Sequence, residues 1–122
     1  MTLFQRPGVI ALATLAVGGL ALASVAARSQ GQGREFSVTG REHRFSPGRI
    51  EVQKDDLVKI SFTSGDIAHS FTIDDYRIAK RAGAGQTVVF EFRADRAGTF
   101  PFYCNLTQDD KCRQMKGELI VR

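Results

Sequence analysis

The sequence predicts an all-β sandwich, and three observations carry that prediction. Apolar residues alternate with polar ones in short runs, as in Val58, Ile60 and Phe62 or Val88, Phe90 and Phe92. A period of two puts every second side chain on one face of a strand. Turn residues separate the runs: Ser46-Pro47-Gly48, Lys54-Asp55-Asp56 and Asp95-Arg96-Ala97-Gly98. Between Arg34 and the C-terminal Arg122, no apolar pattern of helical period is sustained for the roughly ten residues a helix needs.

In chain order, the first strand carries Phe36 and Val38, and the second, after the proline turn, carries Ile50 and Val52. Val58, Ile60 and Phe62 line the third, and Phe71 with Ile73 mark the fourth. Val88, Phe90 and Phe92 give the cleanest alternation, Phe100 and Phe102 follow, and Leu119 with Val121 close the series. About seven strands result, with Ala82-Gly83-Ala84-Gly85 as a loop. Seven phenylalanines, Phe36, Phe45, Phe62, Phe71, Phe90, Phe92 and Phe100, supply the expected core. Each contributes about 1.5–3 kcal/mol when fully buried, enough for a small sandwich of modest stability.

The 122 residues have room for one domain, and the first quarter of the chain is not part of it. From Val9 to Ala27 the chain is uncharged and almost entirely Ala, Leu, Val, Ile and Gly. Ala21-Leu22-Ala23 and Ser24-Val25-Ala26 both fit the small-x-small pattern of signal-peptide cleavage. The same stretch as a helix is about 28 Å long, close to the hydrocarbon thickness of a bilayer, so residues 1–27 read as a signal peptide or a membrane anchor. Either reading places the remainder outside the cytoplasm, in the periplasm or the extracellular space, and Arg6 on the leading side agrees with that orientation. Residues 28–33, with Ser29-Gln30-Gly31-Gln32-Gly33, form a flexible linker, and the domain occupies 34–122.

Removing residues 1–27 takes away one arginine and no acid, which leaves 16 basic against 13 acidic side chains and a net charge near +3. The charges are interspersed, as in Lys54-Asp55-Asp56 and Asp109-Asp110-Lys111, so no nucleic-acid patch emerges. A Ser-His-Asp set, a phosphate loop and a second histidine cluster are all missing from the pattern, and the chain is not expected to be an enzyme.

The chemistry-bearing residues are His69, in Asp66-Ile67-Ala68-His69-Ser70-Phe71, and the segment holding Cys104, Cys112 and Met115. A strand start and a loop between the last two strands can meet at one end of a sandwich. Thiolate, imidazole and thioether together suit copper. Two cysteines eight apart in an oxidising compartment are also a disulfide candidate. His43 is expected to be exposed, and Asp74-Asp75 and Asp109-Asp110 to be solvated loop acids. Phe102 and Tyr103 are expected to pack an apolar shell around the site.

The order of Phe45-Ser46-Pro47, Ile50-Glu51-Val52, Asp66 to Phe71, Gly98-Thr99-Phe100-Pro101-Phe102-Tyr103-Cys104 and Met115-Lys116-Gly117-Glu118-Leu119-Ile120-Val121 resembles the cupredoxins. Within them it is most similar to the copper domain of cytochrome c oxidase subunit II and its soluble relatives. The resemblance runs from about Phe36 to the end of the chain. It implies a Greek-key β-sandwich of cupredoxin type, a role in one-electron transfer or copper handling, and a redox protein or a copper donor or acceptor as partner. A monomer is expected.

The subunit II loop runs Cys-x3-Cys-x3-His-x2-Met and holds two coppers. Here Cys104 matches the first cysteine and Met115 the methionine, but Gln108 stands for the second cysteine and Cys112 for the histidine. A two-copper centre is therefore not expected. Two readings stay open. One copper is held by His69, Cys104, Cys112 and Met115, a sulfur-rich set favouring the cuprous ion. Alternatively, Cys104 and Cys112 form a disulfide, and the domain is a metal-free interaction or accessory module.

Overall fold

The structure is a computed structural model that describes residues 31–122. The expected export segment, residues 1–27, and the start of the linker lie outside the described residues. No helix among the described residues is long and apolar enough to cross a membrane.

Among the described residues, nine strands form two sheets. They are β1 (Gly33–Arg41), β2 (Arg44–Ser46), β3 (Arg49–Val52), β4 (Leu57–Ser64), β5 (His69–Ile73), β6 (Ile78–Ala82), β7 (Thr87–Arg93), β8 (Gly98–Tyr103) and β9 (Lys116–Val121). One sheet runs β2-β1-β4-β7 and the other β3-β9-β8-β5-β6. Both are mixed, with β1 parallel to β4 and β3 parallel to β9. Single 3-10 turns at Asp74–Tyr76 and Cys112–Gln114 are the helical pieces of the described residues.

Seven of the nine strands coincide with the alternations read in the sequence. The other two, β2 and β6, have no alternation to betray them: Arg44-Phe45-Ser46 is three residues long, and Ile78-Ala79-Lys80-Arg81-Ala82 carries two adjacent charges. Ala82, expected in a loop, is the buried last residue of β6 and pairs with His69. Burial gives the reason, because an alanine side chain closes the edge of the sheet beside the imidazole without displacing it.

The inner faces meet through aromatic rings. Val58, Ile60 and Phe62 of β4 face inward with Phe90 of β7, and Phe71 and Ile73 of β5 face them from the other sheet. Phe71 packs on Phe62 and Phe90 across the interface and stacks on Phe102 with ring centroids 4.5 Å apart. Phe102 is fully buried, so it belongs to the core itself as well as to the approach to the site. Phe36 and Phe92 are only partly buried and pack on the margin.

At the far end of β4 from His69, buried Asp56 fastens the chain entry. Its carboxylate accepts hydrogen bonds from the backbone N–H of Gln32 (2.9 Å) and Gln53 (2.8 Å) and from Arg34 Nε (3.3 Å). Burial alone raises the carboxyl pKa, but those donors outweigh it and hold it below the ordinary carboxylate value. A group with a depressed folded-state pKa adds stability above its unfolded value of 3.8, and that stability is lost as pH falls through the lower folded value. Asp56→Asn is expected to cost about 2 kcal/mol at neutral pH. It should also flatten the stability profile below pH 4, as urea titrations across that range will read.

Candidate metal centre

His69 opens β5 on the same face as Phe71 and Ile73, which carries its ring into the end of the sandwich, where it is fully buried. The ring Nε2 lies 2.7 Å from Asp66 Oδ1. Asp66 also accepts the Glu42 N–H at 2.8 Å and the Ile67 N–H at 2.7 Å. The Glu42 N–H is the chief cause that brings the Asp66 pKa down to about 2; burial opposes it and the His69 bond adds to it. An ionised carboxylate is an acceptor only, so Nε2 carries the proton and donates it. The neutral ring's lone pair is then on Nδ1. That atom is buried and has no hydrogen-bond partner.

A buried polar atom left without a partner costs roughly 1–3 kcal/mol, so such atoms need a reason to persist. A carboxylate on one imidazole nitrogen with the other nitrogen bare is the arrangement that presents histidine to a metal.

The sulfur residues converge on the same end. Cys104 follows β8, Cys112 begins the 3-10 turn and Met115 immediately precedes β9, and all three are buried. Cys104 Sγ accepts the N–H of Ser70, the neighbour of His69, at 3.3 Å, and the Cys104 N–H donates to the Met115 carbonyl at 3.2 Å. Cys112 Sγ accepts the Leu106 N–H at 3.2 Å. The Met115 methyl lies against β1, close enough that a Cβ on Gly40 would sit 2.9 Å from it. The three sulfur residues are thus linked to one another, and Cys104 to the residue after His69.

Cys104 and Cys112 are joined as a disulfide, with their Cα atoms 5.1 Å apart. Among the described residues no group of three His, Cys, Asp or Glu side chains is arranged to hold a metal ion. Fit to copper therefore depends on redox state. As a cystine the sulfurs offer no thiolate; as a dithiol they would add two soft donors to the bare Nδ1 of His69 and the Met115 thioether. The cystine also closes a nine-residue loop, worth about 2–3 kcal/mol in the chain-entropy account. Reducing it is expected to lower the melting temperature by roughly 10 °C or more in a scanning calorimeter.

Several residues stand differently from their sequence-based expectations. His43 is only about a quarter exposed, and its ring meets that of His69 edge-on, with centroids 5.6 Å apart and planes at 85°. Asp109 is not merely solvated: it pairs with His43 Nε2, and that bond is the first cause holding its pKa down, aided by the Lys111 N–H. Tyr103 points outward, donating its hydroxyl to Asp74, so Phe102 alone of the pair lines the interior. His43 gave no signal in the sequence because a two-residue turn, rather than a ligand motif, brings it to the site.

Over residues 11–121 the sequence matches the cupredoxin-like domain family. The chain belongs to that family. Cupredoxin-like folds among solved structures include the periplasmic domain of cytochrome oxidase subunit II of Bradyrhizobium japonicum, with TM-score 0.62 and 16% identity over 72% of this chain and 83% of that one. Auracyanin A, a blue copper protein of Chloroflexus aurantiacus, aligns with TM-score 0.63 and 17% identity over 74% of this chain and 99% of that one. The metal-binding domain of the Cu(I)-exporting P-type ATPase of Streptococcus pneumoniae D39 aligns with TM-score 0.64 and 15% identity over 80% of this chain and 99% of that one. At these identities the likeness is one of fold. Among curated proteins none matches the sequence.

Proposed function

We propose that this cupredoxin-like domain binds one copper ion when its cystine is reduced, through His69, Cys104, Cys112 and Met115, and serves copper handling or one-electron transfer outside the cytoplasm. The observation that carries the proposal is the bare, buried Nδ1 of His69, oriented by Asp66, with Cys104 Sγ accepting the N–H of the next residue, Ser70. Bound there, copper would supply one-electron redox chemistry. The chain's own part is to exclude water, to fix the imidazole tautomer through Asp66 and to offer soft sulfur donors that favour the cuprous ion. The blue copper protein and the Cu(I)-exporting ATPase domain among its structural relatives support this reading. The apolar segment from Val9 to Ala27 supports export.

A second reading is favoured by the disulfide itself: a metal-free module in which Cys104–Cys112 is a permanent staple. One experiment separates the two. The chain, reduced and loaded with copper under argon and then oxidised, is assayed for metal content and visible absorption. The copper reading expects about one ion per chain and a thiolate charge-transfer band that vanishes in Cys104→Ser. No copper taken up by the reduced chain before oxidation, with Cys104 and Cys112 disulfide-linked afterwards, establishes the staple.

A further inference from the structure

The β1–β2 hairpin turns through Glu42 and His43, both in the left-handed region at φ 52° and 58°. Two consecutive positive φ values are the signature of a type I′ turn, which favours Asn-Gly. A non-glycine residue there costs on the order of 1 kcal/mol, and such strain tends to be kept where the residue has a task. The Glu42 N–H ties the turn to Asp66, the same carboxylate that orients His69. Asp109 grips His43 Nε2 as Asp66 grips His69 Nε2, and Asp109 lies inside the loop closed by Cys104 and Cys112. Each imidazole thus has a carboxylate on its Nε2.

The spacing of the rings fits a shared ion. A metal about 2.0–2.1 Å from an imidazole nitrogen lies roughly 3 Å from the ring centre, so two imidazoles on one ion have centroids roughly 4.5–6 Å apart. The observed 5.6 Å falls in that range. Where the subunit II pattern would place a histidine, this chain has Cys112.

We infer that His43, delivered by the strained hairpin turn, supplies the second imidazole of the copper site through its Nδ1. This inference rests on the copper reading above, with His69 as the first imidazole. The site then draws ligands from both sheets and clamps the hairpin to the cysteine loop.

The chain has only two histidines, which makes the test direct. The reduced full chain, labelled with 15N-histidine, is titrated with one equivalent of Cu(I), and the imidazole nitrogens are followed by NMR. Both Nδ1 resonances are expected to shift. In His43→Gln and His43→Gly the affinity for Cu(I), measured against a competing chelator, should fall at least tenfold. A shift confined to His69, or affinities within twofold of the parent chain, would overturn the inference while leaving the four-residue site intact. A reduced chain that takes up no copper at all would overturn both readings.

Discussion

The dithiol form is expected to bind Cu(I) at least roughly a thousandfold more tightly than the disulfide form, because oxidation withdraws both thiolates and leaves imidazole and thioether alone. Competition titrations on the two forms at fixed pH, with thiols counted in each, check the ratio; equal affinities would remove the cysteines from the site. Linkage gives the reciprocal effect: a ligand that binds only the reduced form stabilises it. The apparent reduction potential of Cys104–Cys112 should therefore rise by about 30 mV for every tenfold excess of free copper over the dithiol's dissociation constant.

Gly117→Ala is expected to destabilise the fold by about 3 kcal/mol or more. Gly117 on β9 lies directly across from Phe102 on β8. An added Cβ would overlap the Phe102 ring edge and come within 2.7 Å of the Gly48 carbonyl oxygen. Neither neighbour can yield cheaply. Phe102 is fully buried against Phe71 and Phe45, and the Gly48 carbonyl accepts the Glu118 N–H at 3.0 Å. Relief by sliding β9 would move Met115, two residues earlier, and with it the Cys104 N–H bond to the Met115 carbonyl. Chemical denaturation should show the loss of stability, and copper uptake by the reduced variant should weaken in parallel. A melting temperature unchanged from the parent would show that the ring has room to turn away.

Alternation was enough to read the half-buried strands. In β4, Val58, Ile60 and Phe62 are fully buried while their neighbours are exposed or intermediate, which is the pattern a period of two predicts. It failed where strands are too short or too polar to alternate, in β2 and β6. It was also silent on direction, since side-chain periodicity does not distinguish the parallel β1–β4 and β3–β9 pairs from antiparallel ones. At the site, motif order singled out His69, Cys104, Cys112 and Met115; all four are buried, the two cysteines are bonded to each other, and Cys104 Sγ meets the N–H of Ser70 beside His69. His43 and Asp109 escaped because their partnership spans 66 residues and depends on two left-handed backbone conformations that no residue type there announces. The oxidation state of the cysteines was open in the sequence for a chemical reason: residues placed to share a metal are also within bonding distance of each other.

The place of β9 in its sheet governs the order in which the molecule can be built. This final strand lies between β3 and β8, and it pairs with β3 across about 70 residues of intervening chain. The first sheet needs nothing beyond Arg93, so β1, β2, β4 and β7 can associate while the rest of the chain is still emerging from the ribosome or a translocation channel. The second sheet stays split, with β3 apart from β8, until residues 116–121 arrive. Cys104 and Cys112 both emerge before that closure. Their loop therefore takes its final place only when β9 docks between β3 and β8, so the step that completes the second sheet is also the one that buries the two sulfurs.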